Sequence, residues 1–141
     1  PEMNQIEMHP YLQQRQLLAY GRKHGIHLTA YSPLGSTDRP AAMKKADEPS
    51  LLENPTVTGI AQAHGCSPAQ VLLSWSIERG TAVIPKSTNP ARLAENLQAA
   101  TLHLSNQDMA KLTELDCGFR YVTGEFWTIP GSPYTLEKLW E

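Results

Sequence analysis

Short strand-like runs alternate with stretches of helical periodicity along the chain. Met3 to Glu7, His27 to Tyr31 and Ala82 to Pro85 are each predicted to form a strand. Each run is followed by apolar residues that recur at helical spacing. Three successive strand–helix units imply right-handed crossovers and a parallel sheet. The predicted fold class is therefore α/β.

Capping residues mark the ends of the predicted helices. The first helix, which carries Leu17, is expected to end at Gly25. Asn54 precedes a proline and is expected to cap a second helix, which ends at Gly65. Both helices are therefore predicted to stop at a glycine.

Three further helices are predicted from similar signals. Ser67 and Gln70 form a capping box before a largely apolar helix, which we expect to be well buried. Asn89 is expected to cap the next helix. The apolar face of that helix consists of Leu93, Ala94, Leu97 and Ala100. Ser105 begins the last helix, and Gly118 is placed to end it.

Two stretches show neither kind of periodicity. The polar loop from Ser36 to about Asn54 is too long for a plain connector, and loops of that length usually bind something. The tail, residues 119–141, is rich in Gly and Pro and holds six of the ten aromatic residues of the chain. This composition predicts that the tail wraps a core or lines an apolar pocket.

Length and charge narrow the class of protein and the kinds of partner that the chain can have. A chain of 141 residues is one domain or a piece of one, and is shorter than the roughly 250 residues of a complete (β/α)₈ barrel. Because the chain begins at Pro1 and not at a methionine, we expect a fragment. The 12 basic and 14 acidic residues form no long runs, which argues against nucleic acid or an anionic membrane as a partner.

The cysteines and the hydropathy pattern indicate the cellular compartment of the protein. Cys66 and Cys117 fit no metal-ligand spacing, and we interpret them as free thiols of a reducing cytosol. No apolar run approaches the 18 or so residues that span a bilayer. The chain is therefore predicted to be cytoplasmic, with no metal site and no membrane segment.

A cluster suited to an anion follows the third predicted strand. The residues that lead into the helix are Lys86, Ser87, Thr88 and the cap Asn89. A stripe on the helix leans toward the same point and consists of Arg92, Glu95 and Asn96. A phosphate monoester fits this cluster, since helix N-termini favour anions, but an ordinary capped helix with a solvated face fits it as well. The position at the carboxyl end of a parallel strand favours the ligand site.

Three motifs stand in a specific order along the chain. They are Asn4-Gln5-Ile6-Glu7 before His9-Pro10-Tyr11, Ala30-Tyr31-Ser32-Pro33-Leu34-Gly35, and Ile84-Pro85-Lys86-Ser87 before Arg92 and Glu95-Asn96. Together they resemble strands six, seven and eight of the aldo-keto reductases, a family of (β/α)₈ TIM barrels. The resemblance implies that residues 1–141 are the C-terminal portion of a single barrel domain, and that residues 119–141 form its substrate loop.

The resemblance also implies NADP(H) as the cofactor and assigns its contacts. Gln5 would bind the nicotinamide carboxamide, and Tyr31 would stack on the ring. The expected pyrophosphate contacts and covering loop comprise Ser32, Leu34, Ser36 and Asp38. The expected 2′-phosphate contacts are Lys86, Ser87, Asn89 and Arg92, and the expected adenine contacts are Glu95 and Asn96. Thr88, which replaces a valine of the family, and Asn89, which replaces a threonine of some relatives, keep polar atoms at this site.

The implied activity is the reduction of an aldehyde or ketone to an alcohol. The catalytic aspartate, tyrosine, lysine and histidine of the family belong to earlier strands, so we expect no catalytic residue here and no activity without the N-terminal part of the barrel. His9 precedes a proline and is interpreted as structural. The remaining histidines, His24, His27, His64 and His103, show no partner pattern.

Two questions stay open at the level of sequence. Phe126 and Trp127 are candidates for substrate contact, with coverage of the barrel base or rim as the alternative. The chain as a whole could instead be a non-catalytic half-barrel that binds nucleotide or a partner chain, or a structural relative of the crystallin kind.

Overall fold

The computed structural model describes residues 1–140, and within that range its centre is a parallel sheet of three strands. The strands are β1 (Met3–Glu7), β2 (His27–Tyr31) and β3 (Ala82–Val83), in that order across the sheet. Both neighbouring pairs are parallel. The α/β class with a parallel sheet is therefore confirmed.

Helices connect the strands and follow the last of them. They are α1 (Arg15–His24), α2 (Pro55–His64), α3 (Pro68–Glu78), α4 (Pro90–Gln98), α5 (Asn106–Thr113) and α6 (Leu136–Leu139). Single 3₁₀ turns lie at Ala41–Met43, Ala99–Thr101 and Glu125–Trp127. The tail thus contains a short turn and one short helix, although its sequence shows no helical periodicity.

The predicted helix starts are confirmed, because each predicted N-cap side chain accepts a backbone N–H group two or three residues further along the chain. Asn54 and Asn89 accept backbone N–H groups of α2 and α4. Ser67 and Ser105 take part in capping boxes at α3 and α5. Gly25 and Gly65 end α1 and α2 in the left-handed region, as predicted.

Two predicted boundaries are wrong. The third strand ends at Val83 and not at Pro85, because Ile84 makes the last ladder bond, to the carbonyl of Ala30, and proline has no N–H to continue the ladder. Helix α5 ends at Thr113, five residues before Gly118. Side chains from the start of α1 bind the last carbonyls of α5, so the helix ends without a glycine cap.

The apolar core consists of two clusters. The larger one is formed by α2, α3, α5 and by Tyr11 and Tyr121, and Trp75 of α3 is fully buried in it. The smaller one lies between α1 and one face of the sheet and includes Met8, Leu18, Leu28 and Ala30. The expected burial of α3 is therefore confirmed.

Two apolar surfaces stay uncovered among residues 1–140. On the sheet face opposite α1, Met3 is 50% and Ile84 47% exposed. On α4, Leu93 is 48% and Leu97 77% exposed, and the two alanines of the same face are exposed as well. Both surfaces have the composition of a core without a covering layer.

Candidate cofactor site

The carboxyl ends of the parallel strands lie at one edge of the sheet, where ligands of such folds bind. Glu7 at the end of β1 pairs with Tyr31 at the end of β2, and Lys86 follows the end of β3. Gln5 lies two residues before Glu7, on the same face of β1, and its side chain is exposed. The structure therefore brings Gln5, Tyr31 and Lys86 to the same edge.

Tyr31 is half-buried between a carboxylate and a guanidinium. Burial raises the pKa of its phenol, the charge of Glu7 raises it further, and Arg120 of the tail acts in the opposite direction. The half-buried aromatic ring of Tyr31 is suited to packing against a flat ligand.

The turn that follows β2 has an unusual backbone. Ser32 (φ 49°) and Ser36 (φ 51°) lie in the left-handed region, where residues other than glycine are uncommon and concentrate at functional sites. Gly35 has φ 87°, and a Cβ there would lie 3.2 Å from the ring of Tyr121. Leu34 packs against the larger core cluster. This turn starts the polar loop of residues 36–54, hereafter the cofactor loop.

The cofactor loop is tied to the end of β3 by an ion pair. Lys86 Nζ donates a hydrogen bond to Asp38 Oδ2 at 2.6 Å. The hydrogen bond and the charge of Lys86 lower the pKa of the Asp38 carboxyl. The structure thus joins two predicted cofactor residues that lie 48 positions apart in the sequence.

At the start of α4 the donors offered to an anion are side chains. Asn89 Oδ1 accepts the N–H groups of Ala91 at 2.9 Å and Arg92 at 3.3 Å, so these two groups are already bonded. Ser87 Oγ contacts the backbone of Asn89. Lys86 and Thr88 are exposed beside this turn, as is Arg92 on α4. Asn89 therefore occupies two of the N–H groups that a helix N-terminus can present to an anion.

The two expected adenine contacts lie further along α4. Glu95 and Asn96 are both half-exposed. The carbonyl of Glu95 accepts a hydrogen bond from Gln70 Nε2 at 3.2 Å. This bond ties α4 to the first turn of α3, which keeps the helix in place beside the cluster.

Sequence reasoning missed the group that holds the base of the cofactor loop. Arg39 donates to both carboxylate oxygens of Glu48, at 2.7 and 2.6 Å. Its guanidinium also lies 5.3 Å from the centroid of the Tyr121 ring, whose hydroxyl donates to the Pro49 carbonyl at 2.6 Å. Opposite charges nine residues apart in a polar loop are too common for the sequence to single this pair out.

Sequence reasoning also missed Glu7. The carboxylate is fully buried and binds the tail through backbone N–H groups. An acidic residue at the end of a strand that is otherwise uncharged is the signal that the sequence offered, since a charge at a buried position calls for partners.

The tail has a buried part and an exposed part. Phe119 and Tyr121 pack in the larger core cluster. Phe126 and Trp127 are 42% and 57% exposed, with ring centroids 5.0 Å apart. The guanidinium of Arg120 lies 3.7 Å from the centroid of the Trp140 ring. The tail therefore combines core wrapping with an exposed aromatic surface.

Two of the unassigned histidines lie beside carboxylates. His103 Nδ1 lies 3.7 Å from Glu78 Oε1. His64 Nε2 lies 3.0 Å from Asp108 Oδ2, in the capping box of α5. Within residues 1–140 no group of three or more His, Cys, Asp and Glu side chains is arranged to hold a metal ion. Across the same range, every helix is too short or too polar to cross a membrane.

Comparison with known proteins gives matches along the whole chain. The model described as "Aldo/keto reductase family" matches residues 1–116. An aldo/keto reductase of Synechocystis sp. is 59% identical over 141 residues, which cover 100% of this chain and 43% of the relative. Aldo-keto reductase family 1 member A1 of Mus musculus is 46% identical over 122 residues, which cover 86% of this chain and 37% of the relative. The chain spans less than half the length of either relative.

Proposed function

Since the chain belongs to the aldo/keto reductase family, we propose that it forms strands six to eight of a (β/α)₈ barrel and holds NADP(H) for the reduction of an aldehyde or ketone. The intact barrel carries out this reaction in a reducing cytosol, where Cys66 and Cys117 stay free thiols. Residues 1–141 form the C-terminal portion of the single barrel domain, and residues 119–141 form its substrate loop.

The uncovered surfaces support the barrel assignment. On the sheet face that carries Gln5, the tail covers only the end at Glu7, and Met3, Gln5 and Ile84 are exposed. In a closed barrel such a face becomes the packed interior. The apolar face of α4, with Leu97 77% exposed, is then covered by neighbouring elements of the outer helical ring. The N-terminal part of the barrel therefore completes both surfaces.

The strand-end cluster supports a phosphorylated dinucleotide as the ligand. When bound, the nicotinamide supplies a hydride, which is chemistry that no side chain provides. Gln5 presents an exposed amide, and Tyr31 presents a half-buried aromatic ring at the same edge. Ser32, Leu34 and Ser36 line the turn where a pyrophosphate would lie.

The choice of NADP(H) over NAD(H) rests on the cations beside α4. Lys86 and Arg92, with Ser87, Thr88 and Asn89, would hold the 2′-phosphate, the group that distinguishes the two cofactors. Asp38 pairs with Lys86, so the cofactor loop is positioned to close over the same region. Glu95 and Asn96 would contact the adenine on the far side of that cluster.

Three of the five phenols among residues 1–140, those of Tyr11, Tyr31 and Tyr121, support the proposal that the proton donor lies in the N-terminal part. Carbonyl reduction needs a proton donor beside the developing oxyanion. The hydroxyls of Tyr11 and Tyr121 are occupied by Asn54 and Pro49, and burial raises the pKa of both Tyr31 and Tyr121. These tyrosines have structural or ligand-packing roles, and we assign no catalytic residue to this chain. Phe126 and Trp127 would contact the carbonyl substrate or the alcohol product.

The test is a spectrophotometric assay of NADPH oxidation with a reactive aromatic aldehyde. We expect turnover by the full-length protein that contains this chain and none by residues 1–141 alone. Turnover by residues 1–141 that disappears in the Tyr31→Phe variant would contradict the proposal that the proton donor lies in the N-terminal part. NADPH binding without turnover in the full-length protein would favour a structural relative of the crystallin kind.

A further inference from the structure

Glu7 is a fully buried carboxylate whose two oxygens both bind the tail. Oε1 accepts the backbone N–H of Tyr121 at 2.6 Å, and Oε2 accepts the backbone N–H of Val122 at 2.9 Å. Two consecutive amides of a distant segment thus converge on one side chain. Hydrogen bonds to a charged acceptor are stronger than neutral ones, so this contact holds the tail backbone firmly.

His9 completes the site. Its Nε2 lies 3.0 Å from Glu7 Oε1, and its Nδ1 is buried without a partner. Because an ionised carboxylate only accepts hydrogen bonds, Nε2 is the donor in this contact. Burial alone would raise the pKa of Glu7, but the bonds from His9, Tyr121 and Val122 outweigh it and lower the pKa. Glu7 is therefore a charged acceptor at neutral pH.

The contact lies where the tail leaves the core. Tyr121 is 4% exposed and belongs to the larger core cluster, whereas most residues from Glu125 to Trp140 are exposed. The tail also folds back on this point, since Trp140 Nε1 donates to the Thr123 carbonyl at 2.7 Å. The position of the exposed aromatic surface, including Trp127, is therefore set from residues 121–123.

Glu7 also lies level with Tyr31, the residue that we propose stacks on the nicotinamide ring. Glu7 pairs with Tyr31 across β1 and β2, and Gln5 lies two residues away on the same face of β1. One side chain thus fixes the tail backbone relative to the strand ends where we place the nicotinamide.

We propose that Glu7 is a positioning residue, which holds residues 121–122 of the tail and thereby places the aromatic surface around Phe126 and Trp127 for the carbonyl substrate. This inference rests on the proposed function, in which the tail lines the substrate pocket. Glu7 itself contacts neither substrate nor cofactor. A role confined to stability predicts instead that its loss lowers the melting temperature and leaves substrate binding unchanged.

The test uses the Glu7→Gln variant of the full-length protein. Glutamine has the same shape, but its amide nitrogen cannot accept a hydrogen bond, so at least one tail amide loses its partner. Ser105→Ala is the matched control, because it removes the cap of α5 and lowers stability without contact to the tail. Hydrogen exchange of the Tyr121 and Val122 amides is the first measurement, and it needs no enzymatic activity.

We expect these two amides to be protected in the wild type, and to exchange at least about tenfold faster in Glu7→Gln but not in Ser105→Ala. Thr123, whose N–H has no backbone acceptor within the described residues, is the internal reference and should exchange fast in all three proteins. Unprotected amides at 121 and 122 in the wild type would overturn the proposal, even if the variant does not fold.

Steady-state kinetics is the second measurement. For Glu7→Gln we expect KM for the aldehyde to rise about tenfold, which corresponds to about 1.4 kcal/mol, while the Kd of NADPH stays within about twofold. Equal KM values in Glu7→Gln and Ser105→Ala would overturn the positioning role. A wild type that shows protected amides but no reductase activity would contradict the proposed function, but it would still support the contact between Glu7 and the tail.

Discussion

The ion pair between Lys86 and Asp38 joins two exposed side chains, 68% and 60% accessible. Exposed pairs contribute little to folding stability, typically about 0.2–1 kcal/mol. The position of this pair is more informative than its strength, because it connects the cofactor loop to the start of the cluster before α4. Its effect should therefore appear in the rate at which a cofactor leaves.

Asp38→Asn tests that effect in the full-length protein. We expect NADPH to dissociate up to about fivefold faster, because the loop loses its attachment to Lys86, and we expect the unfolding free energy to change by less than about 1 kcal/mol. Stopped-flow fluorescence measures the dissociation rate. Asp47→Asn, at an exposed aspartate of the same loop, is the matched control and should have no effect. Slower NADPH release from Asp38→Asn would mean that Asp38 repels the phosphate instead of holding the loop.

Individual residues were predictable where their partners are local. Asn54 bonds N–H groups two and three positions away, so its sequence neighbours identify it as a cap. Glu7 binds amides 114 and 115 positions away, and no local pattern encodes that contact. The proposed cofactor contact of Gln5 came from the resemblance to a family, since a lone amide has many uses. Arg92 was placed in an anion cluster by its spacing along α4, and the resemblance then implied the 2′-phosphate as its partner.

The end of α5 likewise could not be predicted from local sequence, because it depends on a distant residue. Its start was predictable from Ser105 and Asp108, three residues apart. Its end is determined by Gln13, whose Nε2 donates to the carbonyls of Leu112 at 3.0 Å and Thr113 at 3.1 Å. Side chains about a hundred positions away replace the glycine cap, so Gly118 was a misleading signal.

Gln13→Leu tests this account of the helix end. Gln13 is 2% exposed, and leucine removes a donor that bonds the carbonyls of Pro10, Leu112 and Thr113. The loss of a buried hydrogen-bonding group typically costs about 1–3 kcal/mol. We expect the full-length protein to lose stability by that amount in urea unfolding. Gln16→Leu places the same substitution at an exposed position of α1 and should change stability by less than about 0.5 kcal/mol. Equal stabilities of the two variants would show that Gln13 does not support α5.

At the scale of the whole molecule, the uncovered apolar surfaces have the largest consequence. In the sheet of residues 1–140, β1 and β3 are the two edge strands. One face packs against α1, and the tail covers the other face only at Glu7. The sequence predicted the strand order and the amphipathic helix α4, but the uncovered state of Leu93 and Leu97 depends on layers that these residues do not supply. A chain with such edges and faces is expected to associate.

Residues 1–141 alone should therefore fold poorly. We expect circular dichroism to show a broad, weakly cooperative melt, and sedimentation velocity to show association, because much of one sheet face and the apolar face of α4 are open to water. The full-length protein, measured under the same conditions, should be compact with a sharp transition. A cooperative monomer of residues 1–141 would indicate a self-sufficient domain and would contradict the proposal that these residues are part of a larger barrel.

Lys86 and Arg92 are the proposed contacts of the 2′-phosphate of NADP(H), and fluorescence titration of the full-length protein with NADPH and NADH tests that role. Charge-assisted hydrogen bonds are typically worth about 1.5–3 kcal/mol each, so Arg92→Ala and Lys86→Met should each weaken NADPH roughly 10- to 100-fold. NADH, which lacks the 2′-phosphate, should bind all variants nearly equally. Lys111→Met, at an exposed lysine of α5, is the control and should change neither affinity. Matched losses for NADPH and NADH in the Arg92 and Lys86 variants would contradict the assignment.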